Sequence, residues 1–414
     1  MTAVTAPSPK FNPSPWLSGT TPAGFLAVAA AATAAYLLSQ STPSLAVMWL
    51  FGLAFGVTLQ RARFCFTSAF RDLFLLQDGR VAKAIIGGLS VATVGFALVM
   101  YNMVPNLATG SFPLNAAVAP VGWHTMLAGA VFGVGMVLAG GCVGGSCYRI
   151  GEGYVGSAVA LGGIMLGLGL LGHTFPWWWT AVIQGQPRIW LPQSLGWGGS
   201  VTLTLLLLGL LYLLVLWWEA RGGVVVSAAR QAPSTATTFS EQLEGLRQTI
   251  LVRAWPVALA GVGLGTLNSL EYLFSRPVGV TGEIMRWTDA IASPIGLGFA
   301  SLMSMGVDLG ACALPSSSDL LTETLMITGG IIAGSLTAAL LSREFRIRVP
   351  RQSIRYGQSL LGGVFMGYAA GLASGCTLGA FFSAIPSLSL GGWVFGTGLA
   401  LGALGGVQII KRLG

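Results

Sequence analysis

The stretch AGAVFGVGMVLAGGCVGGSC, residues 128–147, is an apolar run of helical length that ends in a glycine-rich frame holding two cysteines. A second stretch, GGVFMGYAAGLASGCTLGAF at 362–381, repeats its plan at an offset of 234 residues. Across 129–145 and 363–379 seven of 17 positions are identical: Gly129/Gly363, Gly133/Gly367, Leu138/Leu372, Ala139/Ala373, Gly141/Gly375, Cys142/Cys376 and Gly145/Gly379. The chain has 414 residues and five cysteines. Two of the five therefore occupy matched places in an internal repeat.

Around these stretches the chain is apolar throughout. It is 54% hydrophobic and 8% charged, with a mean hydropathy of +0.75, where a soluble domain carries about 25% charged residues. Runs such as 23–40, 201–218 and 323–342 are long enough to cross a hydrocarbon core of about 30 Å. The composition specifies an all-α polytopic membrane protein and leaves no room for a sizeable soluble domain. The formal net charge of +8 reflects Lys and Arg in loops, the insertion bias of membrane proteins, and implies no nucleic-acid partner. The surrounding solvent is membrane lipid.

The charged loops give an orientation. SREFRIRVPRQSIRY at 342–356 carries five arginines and the chain ends in IIKRLG; by the positive-inside rule both face the cytoplasm. Counting crossings puts the N-terminus there too. The organisation expected is a disordered tail at 1–21, a first membrane repeat at 22–218, a cytoplasmic linker at 219–252 and a second repeat at 253–414. On this topology the run ending at Cys142 enters the membrane from outside and the run ending at Cys376 from inside. Two inverted repeats with re-entrant broken helices, meeting at a central cysteine-lined constriction, account for that opposition. In the second half, one of the segments 253–273, 293–314 and 320–342, or the polar stretch 275–290, is expected to be re-entrant.

Glycine at the frames permits helix breaks and close backbone approach, and a broken helix leaves free N–H groups and a positive dipole end that suit an anion. A thiol with a pKa of about 8.5 stays protonated at neutral pH and can donate to such a ligand. Gly141, Gly145, Gly375 and Gly379 are thus candidate path residues beside Cys142 and Cys376. Cys147 either extends the path or packs beside it, and Cys312 reads as structural. Asp308 is an intramembrane carboxylate and so a secondary candidate. Cys142 and Cys147 are five apart and no Cys/His pair completes a zinc site, so neither metal nor cofactor is expected.

FGLAFGVTLQRARFCFTSAFRD (51–72), the GGCVGG frame, RPVGVTGEIMRW (276–287) and the 362–385 stretch followed by GGWVF together resemble the YeeE/YedE-like family of sulfur-compound transporters. The resemblance implies uptake of thiosulfate across the bacterial inner membrane, with cysteines passing the anion by successive S–H hydrogen bonds. It also implies a small cytoplasmic TusA-like sulfurtransferase as partner. It adds Cys65 of RARFCF to the path, toward the cytoplasmic exit, and pairs Thr67 with Thr281 across the halves, with Gly279 standing where Cys65 does. Alternatives are a selenium or other sulfur compound as substrate, a membrane sulfurtransferase forming a cysteine persulfide, and a Cu(I) pathway, which the scarcity of Met in the frames disfavours.

Overall fold

A computed structural model describes residues 20–107, 110–222, 255–295 and 321–413. Asp308, Cys312, the 1–19 tail and most of the 219–252 stretch lie outside them.

The described residues form helices: α1 (Thr20–Ser41), α2 (Pro43–Ala62), α3 (Phe66–Leu75), α4 (Arg80–Met103), α5 (Trp123–Ala139), α6 (Val143–Gly151), α7 (Val155–Trp178), α8 (Leu191–Gly222), α9 (Val257–Phe274), α10 (Thr281–Ala292), α11 (Glu323–Leu341), α12 (Ser353–Leu372) and α13 (Leu390–Leu413), with π-helical turns at Trp179–Ile183 and Thr377–Ser383. Among them, nine helices are long and apolar enough to cross a membrane, ten if α12 and the following π turn are one span bent by 49°. The protein is an all-α, multi-pass membrane protein. α10, with 12 residues, rises only about 18 Å and is too short to cross. It overlaps 275–290, one of the four stretches offered as re-entrant; most of another, 293–314, lies outside the described residues.

Loops mark two ends of the bundle. At the basic end the arginine-rich loop pairs with the α6–α7 turn through a bridge between Tyr154 and Arg348, and Arg63 reaches Glu344 at 2.9 Å. Lys83 at the start of α4 meets Glu219 near the end of α8 at 2.7 Å. At the aromatic end Trp190 bridges to Ser389, Trp123 packs on Trp178 and Asn115 donates to the Ser275 carbonyl.

Four parallel helix pairs make the core: α2 with α11, α4 with α9, α5 with α13 and α7 with α12. Each closes on glycines spaced four apart, the small-xxx-small arrangement of membrane helices. A β-carbon on Gly363 or Gly367 would stand 2.3 and 2.0 Å from the carbonyl oxygens of Ala160 and Ile164. Gly163 and Gly167 return the contact against Leu360 and Val364. Gly129 and Gly133 meet Phe395 and Leu399 of α13 in the same way, while α5 and α12 cross antiparallel with Gly135 against Gly362. The identities at Gly129/Gly363 and Gly133/Gly367 therefore serve helix contact.

Gly367→Val leaves the Ile164 carbonyl no room. We expect it to lower stability by ~3 kcal/mol, the upper range for overpacking, read as a reduced midpoint in thermal unfolding of the detergent-solubilised protein. Gly357→Val, where a β-carbon meets nothing within 4 Å, should leave that midpoint unchanged.

Candidate functional site

The site forms where helices are interrupted. α5 ends at Gly140 in the left-handed region, φ 73°, and α6 begins three residues later; α12 breaks at Ser374, φ 55°. Residues 140 and 374 are equivalent at the 234-residue offset, so both frames leave their helix by the same turn. Serine adopts there a conformation that glycine takes without strain.

Cys65, Cys142 and Cys376 each occupy the residue before a short helical segment, with extended backbone. Their sulfurs thus stand where a helix start leaves N–H groups unused. The Cys142 sulfur accepts from the Gly145 N–H at 3.2 Å, and the Cys65 sulfur faces the N–H groups of Thr67 and Cys142. The Cys65 and Cys142 thiols are close neighbours. A β-carbon on Gly145 would lie 3.0 Å from one sulfur and 3.2 Å from the other. Glycine at 145 makes the space that the pair shares.

Cys142 also faces the Thr377 hydroxyl, one residue beyond Cys376. Cys376 donates its N–H to the Thr281 hydroxyl at 3.1 Å and is a near neighbour of Cys147. The four thiols are all buried, and Thr377, next to Cys376 in the chain, lies beside Cys142. No nitrogen or oxygen partners the buried hydroxyls of Thr67 and Thr377. They are unused donors inside the cluster. Gly379 lines a cavity of about 20 Å³ with Ala373, Ser374 and Thr125, room for about one water. A β-carbon at Gly375 would meet the Ala380 nitrogen at 2.8 Å, and one at Gly141 would touch Arg149 at 3.4 Å. Phe66, next to Cys65, packs edge-on against Phe381 and Phe382 of the π-helical turn.

The structure therefore brings Cys65, Cys142, Cys147 and Cys376 together with Thr67, Thr281 and the frame glycines. Sequence reasoning missed Thr377 and Arg149. Arg149 sits two turns along α6 from Cys142, bonds the Gly140 carbonyl and is the cation whose field reaches Cys65. Its place in the same short helix as Cys147 was the available signal. Among the described residues no group of His, Cys, Asp and Glu could hold a metal ion.

Broken apolar helices around a buried polar centre are the build of a membrane protein that handles a small solute. Comparison with known proteins gives its class. Residues 61–405 match the family described as Sulphur transport, and the chain belongs to that family. It is a membrane transporter and not an enzyme. It is 30% identical over 360 residues to the thiosulfate transporter TsuA of Spirochaeta thermophila, covering 83% of this chain and 92% of the relative. It is 28% identical to the thiosulfate transporter TsuA of Escherichia coli, over 83% of this chain and 88% of that protein. The probable transporter YedE of E. coli is 34% identical over 204 residues, about half of each chain.

Gly145→Ala tests the shared space directly. The added methyl must displace one of two sulfurs, so transport of the native solute should fall at least tenfold while thermal unfolding moves little. An unchanged rate would show that the Cys65–Cys142 spacing does not matter.

Proposed function

We propose that this protein imports thiosulfate across a bacterial inner membrane, with the basic end and both termini in the cytoplasm. The observation that carries the reading is the convergence of three cysteines, each at the start of a short helical segment, on one buried cluster with the unpartnered hydroxyls of Thr67 and Thr377. Every group offered there is a donor without fixed charge. The anion enters from the aromatic end beside Gly379 and passes Cys376 and Cys147, then Thr377. It leaves by Cys142 and Cys65 toward Arg149. Thiol donors hold a polarisable sulfur anion weakly enough to release it, as conduction requires. The relatives named as thiosulfate transporters, matched over most of their length, support the substrate.

The reading includes two inverted halves, 22–218 and 253–414, joined by the linker 219–252. Supporting it, α5 pairs with α13 while α7 pairs with α12, and α2 pairs with α11 while α4 pairs with α9. Such reciprocal pairing is what a two-fold relation between the halves produces, with the matched frames of α5 and α12 running in opposite directions. A TusA-like sulfurtransferase at the basic end would take the anion onward.

Uptake of radiolabelled thiosulfate into proteoliposomes tests this. Cys142→Ala and Cys376→Ala should each lose at least tenfold in initial rate, and Cys142→Ser, which keeps a donor, should retain more than the alanine variant. Wild-type rates in both alanine variants would remove the thiol path. A persulfide adduct in the mass spectrum, with no rescue by serine, would replace it with covalent transfer.

A further inference from the structure

Two glutamates are buried near the aromatic end and differ in their partners. Glu283, fully buried, accepts from Arg286 at 2.6 Å and from the hydroxyls of Thr322 and Thr324 at 3.0 and 2.9 Å. It is a satisfied structural ion. Glu271, at 1% exposure, has a carboxyl oxygen, Oε2, with no donor. Buried polar atoms in native proteins are almost always bonded, and an exception calls for an explanation. An ionised carboxylate left so would be costly.

The charged groups facing Glu271 are Arg276, on the loop that follows α9, and Glu323 at the start of α11. Glu323 is held by the Ser275 hydroxyl. Among the described residues the other elements packed on this end of α9 bring no charge to it: α4 contributes the Phe96 ring against Tyr272, α2 contributes Phe51 against Phe274, and the loop before α5 offers the Leu114 carbonyl to the Tyr272 hydroxyl. Arg276 has an orphan too, its buried Nε. An acid and a base face one another, each with an unbonded atom.

We propose that Glu271 and Arg276 form a proton-linked capture site for the incoming anion. When Glu271 is ionised, it neutralises Arg276 and repels a dianion. When Glu271 takes a proton from solution, Arg276 keeps its full charge for the anion, so each anion captured favours one bound proton. Arg276 lies in the loop that leads to Thr281 at the start of α10, whose hydroxyl holds the Cys376 N–H, so an anion on Arg276 is delivered toward the first thiol. Proton and anion bind at the same end, and the site regulates affinity without requiring a proton to cross the membrane.

This inference rests on the thiosulfate reading, and the experiment separates the two. Thiosulfate uptake into proteoliposomes is measured against external pH from roughly 5.5 to 8.5, a range in which the substrate stays doubly ionised. For wild type we expect KM to rise with pH, by up to about tenfold per unit above the Glu271 ionisation, with little change in maximal rate. Glu271→Gln should hold the low-pH KM throughout, Glu271→Asp should keep a slope, and Arg276→Met should raise KM at every pH. Glu323→Gln should leave the wild-type slope in place. A Glu271→Gln variant with the wild-type slope, or a wild-type KM independent of pH, overturns the capture site. If Glu271→Gln does not fold, the wild-type profile and the Glu323→Gln variant decide. Absence of thiosulfate uptake by wild type would instead remove the function from which the inference starts.

Discussion

Helix backbones in this protein approach until a carbonyl of one lies about where the β-carbon of the next would be. At Gly56, Gly167, Gly261, Gly367 and Gly402 that separation is 2.0 to 2.2 Å, a distance that any side chain forbids. Lipid tails are as apolar as leucine, so apolar burial gives membrane helices little reason to associate; close packing and backbone contact must hold them. Four glycine-lined seams supply this contact, one in each parallel pair. The interrupted helices depend on those seams. α5 and α12 can break at residues 140 and 374 because each is clamped upstream of its break, at Gly129 and Gly133 or at Gly363 and Gly367.

Those breaks create the chemistry. A continuous helix uses its own N–H groups; a helix restarted inside the protein presents them unused. Cys65, Cys142 and Cys376 stand at such restarts, and the Gly145 N–H already points at sulfur. Arg149 qualifies the uncharged character of the cluster. A bare cation there would hold a dianion too firmly, but this one spends a donor on the Gly140 carbonyl and lies two turns from Cys142. It lies beside the cluster without forming it.

Much of this was legible in the residues. Apolar run lengths specified the membrane helices, and the 234-residue offset exposed the matched frames before any coordinate. The same identities mixed two purposes: Gly129 and Gly133 pack helices, while Gly145 makes room for sulfurs, and spacing alone does not separate them. Proximity was the harder part. Cys65 and Cys142 are 77 positions apart on different elements, and nothing periodic in the chain brings them into contact. Thr377 was hidden because it has a valine, Val143, at its matched position, so the repeat gave it no signal. The fate of Glu271 was likewise invisible, because a sequence shows a carboxylate and never its missing donor.

The Cys65–Cys142 contact also has a redox meaning. Two buried thiols on either side of Gly145 differ from a disulfide by two electrons and two protons, and that oxidation would remove both S–H donors at once. Burial of both sulfurs at 1% exposure is then a chemical shield as well as a packing result. The tight frame that makes the donors useful also keeps larger oxidants away from them.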